Sequence, residues 1–238
     1  MKNRILPFVL ALLFFSCGDD KKIVNVDSQR IDSATKEQIV NSNLKNIDTQ
    51  FVATLPPVIE GDLIFQNALD EQSIAFGKAT KSKYNNVGII YIRPKDRTYM
   101  VLDTRDSIHG IPLSEWMVKG DAHHIALLRL KNSNIILNEK KTAQLRMTAK
   151  TLKSKKYDPY FSWSDDAFYS SEMIWKLYKI GAQIELSTLG KVSQLDLSGA
   201  LVQQQMKNKY GANIPKDEPM ATPDDLYNSQ KMEIVYEK

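Results

Sequence analysis

The 238-residue chain contains a single cysteine, Cys17, and only three histidines, His109, His123 and His124. One cysteine forms no internal disulfide, so oxidation does not staple the fold. Three histidines, two of them adjacent, leave little imidazole for acid–base chemistry at neutral pH. Charge of one sign is also scarce: 32 Lys and Arg against 28 Asp and Glu leave a net +4, with the signs interleaved along the chain. That distribution lacks the basic stripe of a nucleic-acid-binding protein, and no nucleic-acid partner is expected. The apolar run Ile5 to Phe15 is too short to span a bilayer as a helix. There is no internal repeat and no long low-complexity segment.

What is present is ordinary globular material, 42% hydrophobic and 25% charged, enough for one large domain or two small ones. The first residues, MKNRILPFVLALLFFSCGDD, combine a basic start at Lys2 and Arg4, an apolar stretch and the small Ser16 before Cys17. This is a secretory signal pattern. The FFSC ending resembles a bacterial lipobox, which implies that Cys17 becomes the lipidated first residue of the mature protein. The plainer alternative is a cleaved signal with an incidental cysteine. Acyl chains on Cys17 would anchor the chain to a bacterial membrane in the cell envelope, each buried CH₂ contributing about 0.8 kcal/mol.

Three regions are therefore expected: a signal over 1–17, a polar tether with a helix around 35–47 over 18–55, and a single folded domain over 56–238. Pro56 and Pro57 stop any helix between the last two. In the domain, GDLIFQ (Gly61 to Gln66) reads as a strand and EQSIAFGKAT (Glu71 to Thr80) has helical spacing. NVGIIYIRP and TYMVLD form two β-rich runs around the turn Pro94 to Arg97, a hairpin pattern. PLSEWMVKG predicts a short helix closed by Gly120, and HHIALLRL a strand. Helices are predicted over Asn138 to Lys156, Phe168 to Ile180 and, as the last helix, Gly199 to Tyr210. Helices mixed with hairpin-like strands indicate an α+β fold with a mainly antiparallel sheet packed against helices.

Five stretches in series carry a resemblance: GDLIFQ, SKYNNVGIIY, MVLDTRDSIHGIPLSEWMVKG, FYSSEMIWKLYK and IPKDEPMATPDDLYNS. In order and spacing they resemble the YiiX-like, circularly permuted papain-like cysteine hydrolases, relatives of the NlpC-type peptidoglycan amidases. The resemblance runs from about Val58 to Ser229 and implies the permuted papain-like fold. It also implies amidase or peptidase chemistry with a cysteine nucleophile, a histidine base and an orienting carboxylate. In such a site the helix N-terminus and a nearby imidazolium lower the thiol pKa, and the third group fixes the histidine tautomer. The family pattern places the histidine in S-x-Y-S-H-x-G-I, the carboxylate on the next strand and the cysteine in Y-C-S-E at a helix start.

The chain departs from that pattern at both reactive positions. Asn86 stands in place of the histidine, Ser170 in place of the cysteine, and Asp103 in place of the usual glutamate. Ser171 and Glu172 match the residues after the nucleophile. A serine hydroxyl needs a base, and the amide of Asn86 cannot take up a proton usefully. A carboxylate such as Asp103 is a weak base for that step at neutral pH. Members of such a triad act as a unit, so loss of one removes several orders of magnitude in rate. The expectation is a catalytically impaired protein that binds a peptide, acyl or peptidoglycan-derived ligand in the inherited cleft. The alternative is an active hydrolase with Ser170 as nucleophile and Asp103, or His109 from the following loop, as base.

Ser170 also has a purely structural reading as a helix N-cap, worth about 1 kcal/mol. Gln66 is a candidate oxyanion donor or an ordinary buried amide, and Tyr169 is a candidate ligand contact among aromatic residues that otherwise serve the core. No cofactor and no metal is expected. Metabolic labelling with a radioactive fatty acid is expected to mark the wild-type chain and to leave Cys17→Ser unlabelled.

Overall fold

The apolar runs of this chain build a six-stranded sheet with every pairing antiparallel. Its strands are β1 (Leu63–Ala68), β2 (Asn86–Ile92), β3 (Tyr99–Asp103), β4 (His109–Pro112), β5 (Gly120–Leu130) and β6 (Met232–Glu237). They lie in the order β6-β5-β1-β2-β3-β4. The computed structural model describes Val52 and residues 54–238. The signal segment, Cys17, the helix expected around 35–47 and nearly all of the tether lie outside these residues.

Alternation along the central strands sends side chains to two different cores. Leu63, Phe65, Val87, Ile89, Leu102, Ala126 and Leu128 face one layer. Ile64, Ile90, Val101, Ile125 and Leu127 face the other. Because both faces are covered, the strands read as near-continuous apolar runs rather than strict alternation. The first face carries α3 (Glu139–Leu152) and α4 (Ser170–Leu177), which runs on into a π-helical turn at Tyr178–Ala182. The second carries α2 (Leu113–Val118), whose Trp116 is fully buried. A third apolar cluster joins α1 (Glu71–Thr80) and α5 (Ala200–Tyr210) through Phe76, Phe161, Tyr169, Val202 and Met206.

Local signals account for several boundaries. Asp70 caps α1 by accepting hydrogen bonds from the Ser73 amide at 2.9 Å and hydroxyl at 2.8 Å. The β2–β3 turn is held by Arg93, which donates to both oxygens of Asp96 at 2.9 and 2.7 Å. Helix α5 runs from Gly199 as cap to Gly211, where φ is +60°. The fold class matches the expectation, an α+β arrangement dominated by an antiparallel sheet.

Other boundaries differ. The first strand starts at Leu63 and continues past Gln66 to Ala68. Gly120 does not close α2 but opens β5, because the strand pairs Gly120 with Ala68 beyond an irregularity in register. The basic helix spans Glu139–Leu152, with Asn138 as its cap. Helix α5 is not the last helix: a short helix, α6 (Pro223–Tyr227), follows it, and then edge strand β6. Residues 109–112 form β4 rather than a loop, with His109 directly opposite Asp103.

Gly88 sits at a point of the sheet with no room for a side chain. A Cβ there would lie 2.2 Å from Val101 Cγ1 and 3.2 Å from the Leu102 carbonyl oxygen. The short, stiff valine cannot swing away, so Gly88→Ala is expected to destabilise the fold by about 1–3 kcal/mol. Urea unfolding followed by circular dichroism would show it as a lower midpoint with an unchanged slope.

Candidate functional site

A cleft of about 400 Å³ opens where the start of α4 meets the start of β2. Ser170, Asn86, Tyr169, Phe76, Arg105 and Lys119 are among the residues lining it. Two of the three family positions therefore share one cavity.

Ser170 reaches it because of how α4 begins. Ala167–Phe168 pairs in parallel with Lys156–Tyr157, and the chain turns into the helix at Tyr169, whose ψ is 165°. Tyr169 is the N-cap residue, and no side chain caps the helix. The expectation that Ser170 serves as the cap is corrected: it is the first helical residue and lines the cleft. Its neighbour has the structural role. Ser171 is fully buried and its hydroxyl donates to the Ala221 carbonyl at 2.8 Å.

Tyr169 is fully buried against the rings of Phe76 and Phe161, both edge-on to it. Its hydroxyl oxygen accepts the Ala221 N–H at 3.2 Å. Burial pushes the phenol well above its ordinary value, so it stays protonated. Tyr157, also in the lining, is pushed up by burial in the same way.

Asn86 is 4% exposed, and its Nδ2 has no hydrogen-bond acceptor among the described residues. Asp103 is fully buried at the end of β3 and is not among the groups lining the cleft. Its Oδ2 accepts a charge-assisted hydrogen bond from Arg105 Nε at 2.8 Å, while Oδ1 has no partner. The carboxylate is thus held by the arginine two residues on. His109 lines a different cavity, beside Tyr91, Met100 and Leu145, and its Nδ1 lies 2.6 Å from the Ser107 carbonyl oxygen. The structure does not bring it to Ser170.

Gln66 pairs with Asn86 across β1 and β2, yet it does not line the cleft. It is fully buried, and its Nε2 donates to the Trp116 carbonyl at 3.1 Å. Its amide also packs against Gly120, where an added Cβ would meet it at 2.5 Å. The ordinary buried-amide reading describes its geometry.

The motif match at Glu172 gave no sign of its burial. Glu172, two residues after Ser170, is fully buried. Lys176, one turn on, lies 2.9 Å from its Oε1. The lysine directs hydrogen bonds to the Ser164 carbonyl at 2.6 Å and Asp165 at 2.9 Å, and sits 4.6 Å from the Trp163 ring centroid. Burial pushes the Glu172 carboxyl from 4.5 up to about 8, against the opposing pull of Lys176. The usable signal was the i,i+4 Glu–Lys spacing inside an otherwise apolar helix.

Comparison with known proteins places these features in context. The family model described as "Permuted papain-like amidase enzyme, YaeF/YiiX, C92 family" matches residues 58–236. YiiX of Escherichia coli (strain K12), described as an uncharacterized protein, is 33% identical over 175 residues, covering 74% of this chain and 84% of the relative. The crystal structure of the metalloprotein yiiX from Escherichia coli O157:H7, DUF1105, matches with a TM-score of 0.67 at 31% identity. That match covers 76% of this chain and 97% of the other.

The buried carboxyl of Glu172 makes stability depend on pH. Its proton is held more tightly in the folded state than in the unfolded one, so the folded chain binds more protons between pH 4.5 and about 8. Its contribution is complete below pH 4.5 and is lost as pH rises through about 8. Chemical denaturation across that range is expected to show the decline in wild type and a flatter profile in Glu172→Gln.

Proposed function

The chain belongs to the permuted papain-like amidase family, and from that premise we propose that it is a catalytically impaired envelope lipoprotein. In this reading it is anchored through Cys17 and holds a peptide, acyl or peptidoglycan-derived group in the inherited cleft instead of cleaving it. The observation that carries the reading is the sharing of one cleft by Ser170 and Asn86, the two replaced positions. A hydroxyl stands where a thiol would attack, and an amide stands where an imidazole would take the proton. Tyr169 is a contact for the ligand from the same lining.

The reading with an active serine nucleophile is less well supported. His109 faces another cavity, and Asp103 is engaged by Arg105 at 2.8 Å. The base would have to be a buried carboxylate already committed to an ion pair. The described residues also do not fit a resident metal ion of the kind named for the Escherichia coli O157:H7 structure. Among them, no three His, Cys, Asp or Glu side chains gather where an ion could sit. Asn86 further removes an imidazole donor from the cleft, and a neutral amide is a poor ligand for transition metals. No step here runs through a metal.

Purified protein incubated with chromogenic amide and ester substrates is expected to show no turnover above background. The double variant Ser170→Cys with Asn86→His is expected to regain measurable hydrolysis, since it returns nucleophile and base to an intact cavity. Wild-type turnover that vanishes on Ser170→Ala would overturn the proposal.

A further inference from the structure

The polar side of the cleft is rich in hydrogen-bond donors that have nothing to bind. Asn86 is 96% buried by its 4% exposure, lines the cleft and leaves Nδ2 unpartnered. Arg105 uses Nε on Asp103 at 2.8 Å and Nη1 on the Lys119 carbonyl at 3.4 Å, while its Nη2 is buried and has no acceptor among the described residues. The first-turn amides of α4, at Ser170 and Ser171, have no acceptor within the helix and carry the positive end of its dipole. Ser170 adds a hydroxyl, while Lys119 at the exposed rim is already paired with Glu115 at 3.5 Å. A buried donor without an acceptor is costly, so such a group is normally met by water or a ligand.

The acidic groups nearby do not cancel this pattern. Asp70 has both oxygens on Ser73 at the start of α1. Asp106 is exposed to solvent, and Asp103 and Arg105 offset each other's charge, which leaves the Arg105 Nη2 as a donor. Phe76, Tyr157 and Tyr169 supply an apolar wall beside the donors.

We propose that the cleft receives the carboxylate of its ligand, held between Asn86 Nδ2, Arg105 Nη2 and the first turn of α4, with the adjoining carbon chain against the aromatic wall. This rests on the binding reading above and narrows its ligand class. A neutral carbonyl oxygen would leave some of these donors idle, whereas two carboxylate oxygens offer about four acceptor sites. The carboxylate can come from a peptide C-terminus or from a free acyl acid.

The test uses the purified full chain and three probes: N-acetyl-alanyl-alanine, its C-terminal carboxamide and octanoate, followed by calorimetry and amide NMR. At least one acid is expected to bind roughly tenfold or more tightly than the carboxamide, as the loss of a charge-assisted hydrogen bond predicts. The tighter of the two acids identifies the source. Asn86→Asp keeps size while replacing a donor by an acceptor, and is expected to abolish acid binding but leave the folded spectrum intact. Arg105→Gln leaves Asp103 buried without its partner, so it serves only as a second variant where it remains folded. Equal binding of acid and carboxamide, or no binding of either acid at about 10 mM, overturns the carboxylate assignment. Carboxamide binding with shifts confined to the cleft would do so while sparing the binding reading. Hydrolysis of the carboxamide that depends on Ser170 would instead sink the binding reading itself.

Discussion

The two hydrogen bonds at Ala221 set the start of α4, and the cleft follows from them. Ala221 accepts from the Ser171 hydroxyl at 2.8 Å and donates to the Tyr169 hydroxyl oxygen at 3.2 Å. All three residues are at or below 1% exposure, so both bonds are shielded from competing water. Tyr169 is further gripped by Phe76 and Phe161, which tie the helix start to α1. With Tyr169 and Ser171 both bonded to Ala221, the residue between them is held at the cleft. Ser170, itself 5% exposed, lines the cavity beside Tyr169, whereas Ser171 does not.

The same tether explains an asymmetry within α4. Of its eight residues only Trp175 escapes full burial, and Trp175 donates through Nε1 to the Ser187 carbonyl at 2.9 Å. A helix this deeply packed has no solvent face for its charged pair. Glu172 and Lys176 are carried into the interior, where Asp165, the Ser164 carbonyl and two aromatic rings receive the lysine. A buried carboxyl–ammonium contact of this kind contributes little to stability, because desolvation consumes most of its attraction. It does make one rotation of α4 about its axis preferable to all others, since any other would leave the pair without partners.

What the sequence made legible was local. Helix α1 carries its own cap, the β2–β3 hairpin its own turn, and α5 glycines at both ends, so each was readable without knowledge of the fold. Strand β4, helix α6 and strand β6 were not. They are short, and β4 and β6 exist through pairing with β3 and β5, a partnership that no local pattern records. The site divided along the same line. Matching motifs placed Ser170 and Asn86 together, but the capture of Asp103 by Arg105 and the seclusion of His109 depend on three-dimensional packing. Tyr169 took the N-cap position because the chain arrives extended from residues 167–168, a constraint invisible in a serine pair that looks like a cap.

These observations separate the frame of the site from its chemistry. The groups that hold the cleft open are Tyr169, Ser171, Ala221 and the strand register of β1, β2 and β3. None of them needs a thiol at 170 or an imidazole at 86. Ser170 makes no bond that supports the helix start, and Asn86 leaves its Nδ2 unpartnered, so neither is fixed by a structural duty through those atoms. A fold arranged in this way can lose its nucleophile and base with little effect on stability. It then retains a shielded, donor-rich cavity at a helix N-terminus, where an anionic oxygen is stabilised without any proton having to move. Cleavage needs a nucleophile and a base acting together, whereas binding needs only the donors that this frame still presents.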